Sequence, residues 1–579
     1  MMLRSVTRGG WPSRAALAPG WFVVAVAVSA TAGPAPAAAQ IGVCQQGRLG
    51  QIEIRNNSLF APEDIGVRRF SWALSVVNSV HLRTRADYLR NQMLLDEGGC
   101  YDAEALAASI RNIRELSFIA RVEANSRQET DSTWVVRLET WDEWSTGAGV
   151  SFDVESEFQF QGFYVTETNA LGRGLRMSFR YRKYRERNDR SVTLASTRFL
   201  GSRARASVAA GATRTGSLFR QEYVYPFVSE TGRLHLQSNL QYEDQEQSYF
   251  TGNDEGITNV LFPFTDRRVS LFARRRFGVP GALTLVGGEM EVLRRTVSGP
   301  AQQVMSENFE TPTTASDSVT ALLRLQASPD SYVRLGVTLG LRRIRFTSAV
   351  GLDLVSGVQD IGLGTELVLT VGRTVGTWGT SVADTYGWLE GFASGQLGPV
   401  LANAKVRAEG RYLDASESGM SRWRDMRLSG RGLFYVRPPA STGQVFTTGV
   451  RFNVRSNIDQ PYQVVLGGEE GVRGYRDDEL PTSNTLVGFV EERVNLRWFR
   501  PAVDLGLTMF ADYGRGWAHD IPFGQDTGWR AAIGGGLRLG FPAGTGSITH
   551  IEVAWPVGAA AGGRGPVLRT YWSPIETNR

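Results

Sequence analysis

Cysteine is almost absent from this chain: Cys44 and Cys100 are the only two among 579 residues. That count excludes a disulfide-knit miniature fold and a cysteine metal cluster. Histidine is nearly as scarce. His81, His235, His519 and His550 stand far apart without ligand spacing, so no metal site is expected. An excess of one charge is lacking as well. The formal net charge is +5, three of it from Arg4, Arg8 and Arg14, which leaves about +2 (5 − 3) for the rest. The pI of 9.2 therefore does not point to nucleic acid, and no concentrated basic face is visible. Beyond the first 40 residues no run is apolar enough for a transmembrane helix. Gly-x-Ser-x-Gly, His-Glu-x-x-His and a phosphate loop are all missing, so no catalytic residue and no cofactor are expected.

Glycine, by contrast, is abundant: 65 residues, against a typical share of ~7%. Glycine spread among many short strands suggests an all-β body with tight turns. Residues 1–39 read as a secretory signal. Arg4, Arg8 and Arg14 form a positive region, the apolar run from Trp21 to Ala32 is too short to span a bilayer, and Ala37-Ala38-Ala39 precedes Gln40. A membrane anchor would need a longer run. Val43 is not the small residue that a lipoprotein signal requires before Cys44. In an exported chain Cys44 and Cys100 either pair, tying an N-terminal tail to a small domain, or stay as two separate buried thiols.

Residues 40–144 mix strand and helix. Ile52 and Ile54 alternate with polar neighbours as in a half-buried strand. Leu89 and Met93 are spaced for a helix that stops at Gly98-Gly99. Asp102 is placed to cap a second helix whose apolar face is Leu106, Ile110 and Ile113. Val122 and Ala124 suggest a strand, and Trp134, Val136 and Leu138 another. The stretch from Phe60 to Leu82 leaves room for one more element.

From residue 145 to 579 the period changes to two. Leu175, Met177, Phe179 and Tyr181 alternate with Arg176, Ser178, Arg180 and Arg182. Leu234, Leu236, Leu240 and Tyr242 share one face, with polar residues between them. Val333, Leu335, Val337, Leu339 and Leu341 alternate with Arg334, Gly336, Thr338, Gly340 and Arg342. A soluble sandwich also alternates. The extent favours a membrane barrel: stretches of about ten residues recur without an intervening helix, matching tilted spanning strands. In lipid, only a closed barrel satisfies every backbone group of such strands. The segments number between about sixteen and twenty. Gln247 to Thr265, Ser298 to Ser316 and Arg455 to Ser483 are expected as long loops on the outer side.

The most distinctive run is Leu466-Gly467-Gly468-Glu469-Glu470-Gly471-Val472-Arg473-Gly474-Tyr475. It resembles the lumenal-loop motif of the BamA/TamA family of outer-membrane barrels. Three further patterns are similar to that family: Asn169-Ala170-Leu171-Gly172-Arg173-Gly174, Phe510-Ala511-Asp512-Tyr513-Gly514, and the closing segments Arg530–Leu539, Ile548–Val557 and Gly565–Trp572. The strand, helix, helix, strand, strand order of residues 40–144 resembles a POTRA domain. The chain departs from the family pattern in running past Trp572 to Arg579 and in the length of the stretch from Phe60 to Leu82, and one such domain is found.

The resemblance implies a mainly β fold: a 16-stranded antiparallel transmembrane β-barrel (residues 145–579) preceded by one small α+β POTRA-like periplasmic domain (residues 40–144). It implies a loop of Gly471, Val472, Arg473, Gly474 and Tyr475 that enters the barrel, where Arg473 meets acids on nearby strands. Parity within the strands puts Glu491, Arg493 and Asp512 inward, with Val490, Val494, Leu507, Met509 and Ala511 facing outward, and the two acids are the candidates to meet Arg473. An isolated Val-Arg-Gly-Tyr would read as a solvated loop; the acid-bearing strands that follow favour the anchored arrangement. The implied activity is folding and insertion of outer-membrane proteins. The implied partners are unfolded clients, outer-membrane lipid and accessory periplasmic or lipoprotein subunits. A secretion pore for one dedicated protein is the alternative; such pores usually carry two POTRA domains and a plug helix, for which Gln40 to Gly50 is too short. A passive porin would need neither the module nor the loop.

Overall fold

The computed structural model describes residues 44–574 apart from 62–70, 131, 154–158, 184–187, 214, 253–256, 306–311, 328, 378–380, 416–420, 439–442, 477–478, 497, 501 and 520. The signal reading of residues 1–39 lies outside the described residues. No described helix is long and apolar enough to cross a membrane.

The N-terminal unit contains β1 (Arg48–Asn57), α1 (Ser71–Val80), α2 (Ala86–Gln92), α3 (Ala103–Arg114), β2 (Ile119–Thr130) and β3 (Thr133–Asp142). Its sheet has the order β1-β3-β2, with β1 parallel and β2 antiparallel to the central strand. Ile52, Val136 and Leu138 turn inward and meet Leu89, Leu106 and Ile113 from the helices in one buried core. The Asp102 carboxylate accepts from the Glu104 and Ala105 amides, which satisfies two of the donors that a helix start leaves free. α2 ends earlier than the sequence spacing suggests. Met93 is already extended, and irregular backbone carries the chain to Gly98. Cys44 and Cys100 are joined, with their Cα atoms 5.2 Å apart, beside the start of β1. The long stretch after Phe60 supplies α1.

The remainder is mainly one antiparallel sheet in which each long strand pairs with the next. It begins with β4 (Thr146–Asp153), β5 (Gln159–Ala170), β6 (Leu175–Arg182), β7 (Asp189–Ser196), β8 (Arg205–Ala212), β9 (Ser217–Tyr225), β10 (Leu234–Phe250), β11 (Ile257–Val279) and β12 (Ala282–Val297). A loop with β13 (Gln302–Met305), β14 (Thr313–Thr314) and α4 (Asp317–Gln326) follows. Then come β15 (Asp330–Val350), β16 (Val358–Thr377), β17 (Asp384–Leu397), β18 (Val400–Leu413), β19 (Trp423–Val436) and β20 (Gln444–Ser456). A second loop holds β21 (Val464–Val465) and β22 (Pro481–Thr482), which pair with each other. The series closes with β23 (Asn484–Leu496), β24 (Asp504–Trp517), β25 (Gly528–Gly540), β26 (Ser547–Val557) and β27 (Val567–Pro574).

Sixteen strands were expected from the resemblance, but twenty long ones are present among the described residues: the sheet's 22 strands less the short β13 and β14. The number sixteen came from the resemblance alone; twenty is the upper end of the alternating segments read from the sequence. The expected loop from Gln247 to Thr265 is also mostly strand. β10 continues to Phe250 and β11 starts at Ile257, because Tyr249, Val260, Phe262 and Phe264 share a buried cluster with Leu323 of α4.

The polarity of this sheet is inverted relative to a soluble one. Leu335, Val337, Leu339 and Leu341 of β15 are exposed, as are Leu367, Leu369 and Val371 of β16, Val490 of β23, and Leu507 and Met509 of β24. The opposite face buries Arg334, Thr338, Thr370, Thr447, Glu491, Thr508, Asp512 and Arg538.

The N-terminal unit docks on one end of the sheet, here called the near end. The Arg85 amide donates to Gly172 O in the β5–β6 turn (2.9 Å), Asn169 Nδ2 donates to Thr84 Oγ1 (2.8 Å), and the Glu143 carboxylate accepts from the Ser547 hydroxyl. Burial pushes Glu143 up to about 7 and Asp142 up to about 6; the Ser547 and Thr84 donors offset this only in part. Glu143, whose donors lie on the sheet, holds more protons docked than undocked, so docking is strongest below the ordinary carboxylate range and weakens as pH rises through about 7. Protection factors at residues 142–145, corrected for the base-catalysed intrinsic exchange rate, should therefore be lower at pH 8 than at pH 5.5. In Glu143→Gln that pH dependence should shrink; an unchanged profile would disprove the assignment to Glu143.

Candidate functional site

The loop between β20 and β23 folds back onto the covered face of the sheet. Short-range backbone bonds shape its tip: Val472 N to Leu466 O (2.9 Å), Gly468 N to Tyr475 O (3.0 Å) and Tyr475 N to Val472 O (3.0 Å). Leu466, Val472 and Tyr475 are fully buried against Val487 of β23 and Ala532 of β25. The glycines answer to close approach. A Cβ on Gly471 would lie 1.9 Å from Leu466 O, and one on Gly474 would lie 2.9 Å from Pro556 N of β26.

This packing delivers Arg473 to three carboxylates. Its Nε and Nη2 grip Asp512 at 2.8 Å each, and its backbone amide adds a bond of 3.1 Å. Nη1 reaches Glu491 at 3.2 Å and Glu552 at 3.4 Å. The guanidinium carbon sits 3.3 Å from the centroid of the Phe510 ring. A planar fork of donors matches this arrangement; an ammonium would not. The structure thus brings together Arg473 with Glu491 and Asp512: parity within the strands put the two acids on this face, and their meeting with Arg473 was implied by the resemblance alone. Glu552 was missed, although in β26 it alternates with Ile551 and Val553 and so lies on the same covered face.

The network continues through Arg493, which strand parity also puts on this face, to Asp353, which the sequence did not suggest. Arg493 Nε binds the other oxygen of Glu491 at 2.7 Å, and its Nη1 binds Asp353 at 3.0 Å. Asp353 lies in the near-end turn between β15 and β16, which also folds onto the covered face. There it accepts from the Tyr435 hydroxyl (2.9 Å), and its backbone carbonyl accepts from Arg538. Leu352, Leu354 and Val355 of that turn are buried. A chain of ion pairs, Arg473–Glu491–Arg493–Asp353, therefore links a loop entering from the far end to a turn entering from the near end. Four arginines (473, 493, 538 and 569) balance four carboxylates (353, 491, 512 and 552) there. A cavity of about 400 Å³ lies beside them, lined in part by Arg431, Arg451, Arg538 and His550.

Arg569 on β27, the final described strand, was also missed. Its Nε donates to Arg473 O at 3.0 Å, and its Nη2 donates to Tyr475 O. The tip of the loop is thereby tied to the strand at the end of the sheet. Cys44 and Cys100 lie apart from this cluster, in the N-terminal unit.

No family model matches the chain, and no curated protein matches it. Solved structures similar to it include CdiB from Escherichia coli, at 12% identity and a TM-score of 0.43, covering 91% of this chain and 76% of that one. Another is BamA from Haemophilus ducreyi lacking POTRA domains 1–3, at 12% identity and a TM-score of 0.40, covering 91% of this chain and 85% of that one. A third is CdiB from Acinetobacter baumannii, at 11% identity and a TM-score of 0.38, covering 89% and 71%.

Proposed function

We propose that this chain is an outer-membrane β-barrel that folds and inserts client proteins. The sheet closes on itself across the bilayer, and the unit at residues 40–144 stands in the periplasm as a POTRA-like domain. Support for closure comes from the strand order, in which β27 is followed by β4. Support for the membrane comes from the apolar exposed face and polar covered face, the inverse of a soluble sheet. Unfolded outer-membrane proteins are the proposed clients, with lipid and accessory periplasmic or lipoprotein subunits as further partners.

The observation that carries this reading is the hold of Arg569 on the carbonyls of Arg473 and Tyr475. A loop fastened to the last strand couples the interior to the junction of first and last strands. Opening that junction exposes an unpaired strand edge, and an incoming strand pairs with such an edge through its backbone. A passive porin needs no such coupling. Arg473 acts here by position and charge, with no chemical step.

The test is client folding in liposomes. The reconstituted chain should speed insertion of an unfolded barrel protein above empty liposomes, while Arg473→Ala and Arg569→Ala should lose most of that gain. No acceleration by the folded chain would sink the reading and favour a pore for one dedicated protein.

A further inference from the structure

Helix α1 carries no charged residue along its ten positions. One side is fixed to the body of the protein. Leu74 and Val77 pack with Leu59, Phe60 and Ala502. The Asn78 side chain clasps the Phe60 backbone, accepting from its amide at 3.2 Å and donating to its carbonyl at 2.9 Å. The other side is apolar and open. Trp72, Val76 and Val80, spaced four apart, are 69%, 54% and 63% exposed, and Leu82 just beyond is exposed too. A helix at a water-facing surface normally puts charge on that side.

The location of α1 identifies what covers it. Ala502 belongs to the near-end turn between β23 and β24, in which Trp498 and Phe499 are exposed. Phe60 meets Phe541 of the β25–β26 turn with ring centroids 6.0 Å apart, and Phe541 is itself exposed. Trp144, also exposed, lies two residues before the start of β4. Along the adjoining strands, Val490, Leu507 and Met509 present the apolar face. Apolar surface thus extends from the strands to the aromatic turns at the rim and on to the helix docked there. Tryptophan at such a rim suits the boundary between acyl chains and headgroups, and exposed Arg83 after the helix suits lipid phosphate.

We propose that α1 is an interfacial helix. Trp72, Val76 and Val80 lie in the near leaflet of the membrane that the sheet crosses, in contact with phospholipid. This rests on the membrane-barrel reading. The helix fixes the height of the N-terminal unit against the bilayer, so that the edge of its sheet is presented close to the lipid surface.

The experiment uses the full chain in phosphatidylethanolamine–phosphatidylglycerol liposomes. The native cysteines are paired, so single introduced cysteines carry an environment-sensitive fluorophore: Val76→Cys, Val80→Cys, Val490→Cys on the strand face and Asp87→Cys on the charged helix α2. Nitroxide phospholipid should quench positions 76 and 80 to within about a factor of two of position 490, and should barely affect position 87. Aqueous iodide should give the reverse order. Iodide quenching at 76 and 80 equal to that at 87 would overturn the proposal, because the face would then lie in water. Protection from both quenchers would also overturn it, because protein would then cover the face. Absence of lipid quenching at 490 would remove the membrane reading itself, and this inference with it. Val76→Glu with Val80→Glu should reduce lipid quenching of a label at Trp72→Cys several-fold while position 490 keeps its signal.

Discussion

Arg473→Ala is expected to free the loop from the covered face while the sheet still forms. Arg473 is 7% exposed and holds Asp512 through two parallel bonds, with Glu491 and Glu552 completing its shell. Removing it leaves three buried carboxylates facing one another, and breaking a buried ion pair by deleting one partner typically costs about 3–5 kcal/mol. The strand ladders β23–β24 and β24–β25 do not depend on it. The loss should therefore appear as local release, with rapid protease cleavage within residues 466–483 and faster exchange of the Val472 and Tyr475 amides. Arg473→Lys should recover only part of the protection, since an ammonium keeps the charge but cannot offer Asp512 a fork. A loop as resistant in Arg473→Ala as in the parent would show that hydrophobic packing of Leu466, Val472 and Tyr475 alone holds it.

The second large effect is expected at Val337→Arg. Val337 lies midway along the exposed apolar row of β15, opposite Gly288 of β12 and Val371 of β16. If that row meets hydrocarbon, an arginine at its centre costs about 2–4 kcal/mol and falls to about 0–1 near the membrane boundary. Arg343 and Arg345, on the same face toward the near end, already show where charge is accepted. Equilibrium unfolding in lipid should thus show a steep penalty at Val337 and a smaller one for arginine at Leu341, on the same row beside Arg343. Equal and negligible penalties at Val337 and Leu341 would mean that the face is wet, and the membrane reading of the sheet would fail.

Much of the architecture was legible because a strand has a strict period. Parity assigned Val490, Leu507 and Met509 outward and Glu491 and Asp512 inward, and the structure places them so. The same parity, applied to β26, would have found Glu552. The capped helix after Asp102 was equally readable, since capping is a local interaction between neighbours. Strand number was less legible. Alternation gave between about sixteen and twenty segments, because the period shows a strand without marking where it ends, and the resemblance alone narrowed the number to sixteen.

Other features depend on residues far apart in the chain, and no local pattern encodes them. The inward fold of the β15–β16 turn depends on Arg493 and Tyr435, 140 and 82 positions from Asp353. The clasp of Arg569 on the loop joins residues 96 and 94 positions apart. The near-end docking pairs Glu143 with Ser547 across 404 positions. Alternation and glycine placement in the amino-acid order were enough to specify a β body and the inward-facing charges. Which charges meet, and which loops they hold, was decided only when the sheet brought distant strands together, because an ion pair depends on distance in space and the sequence carries only distance along the chain.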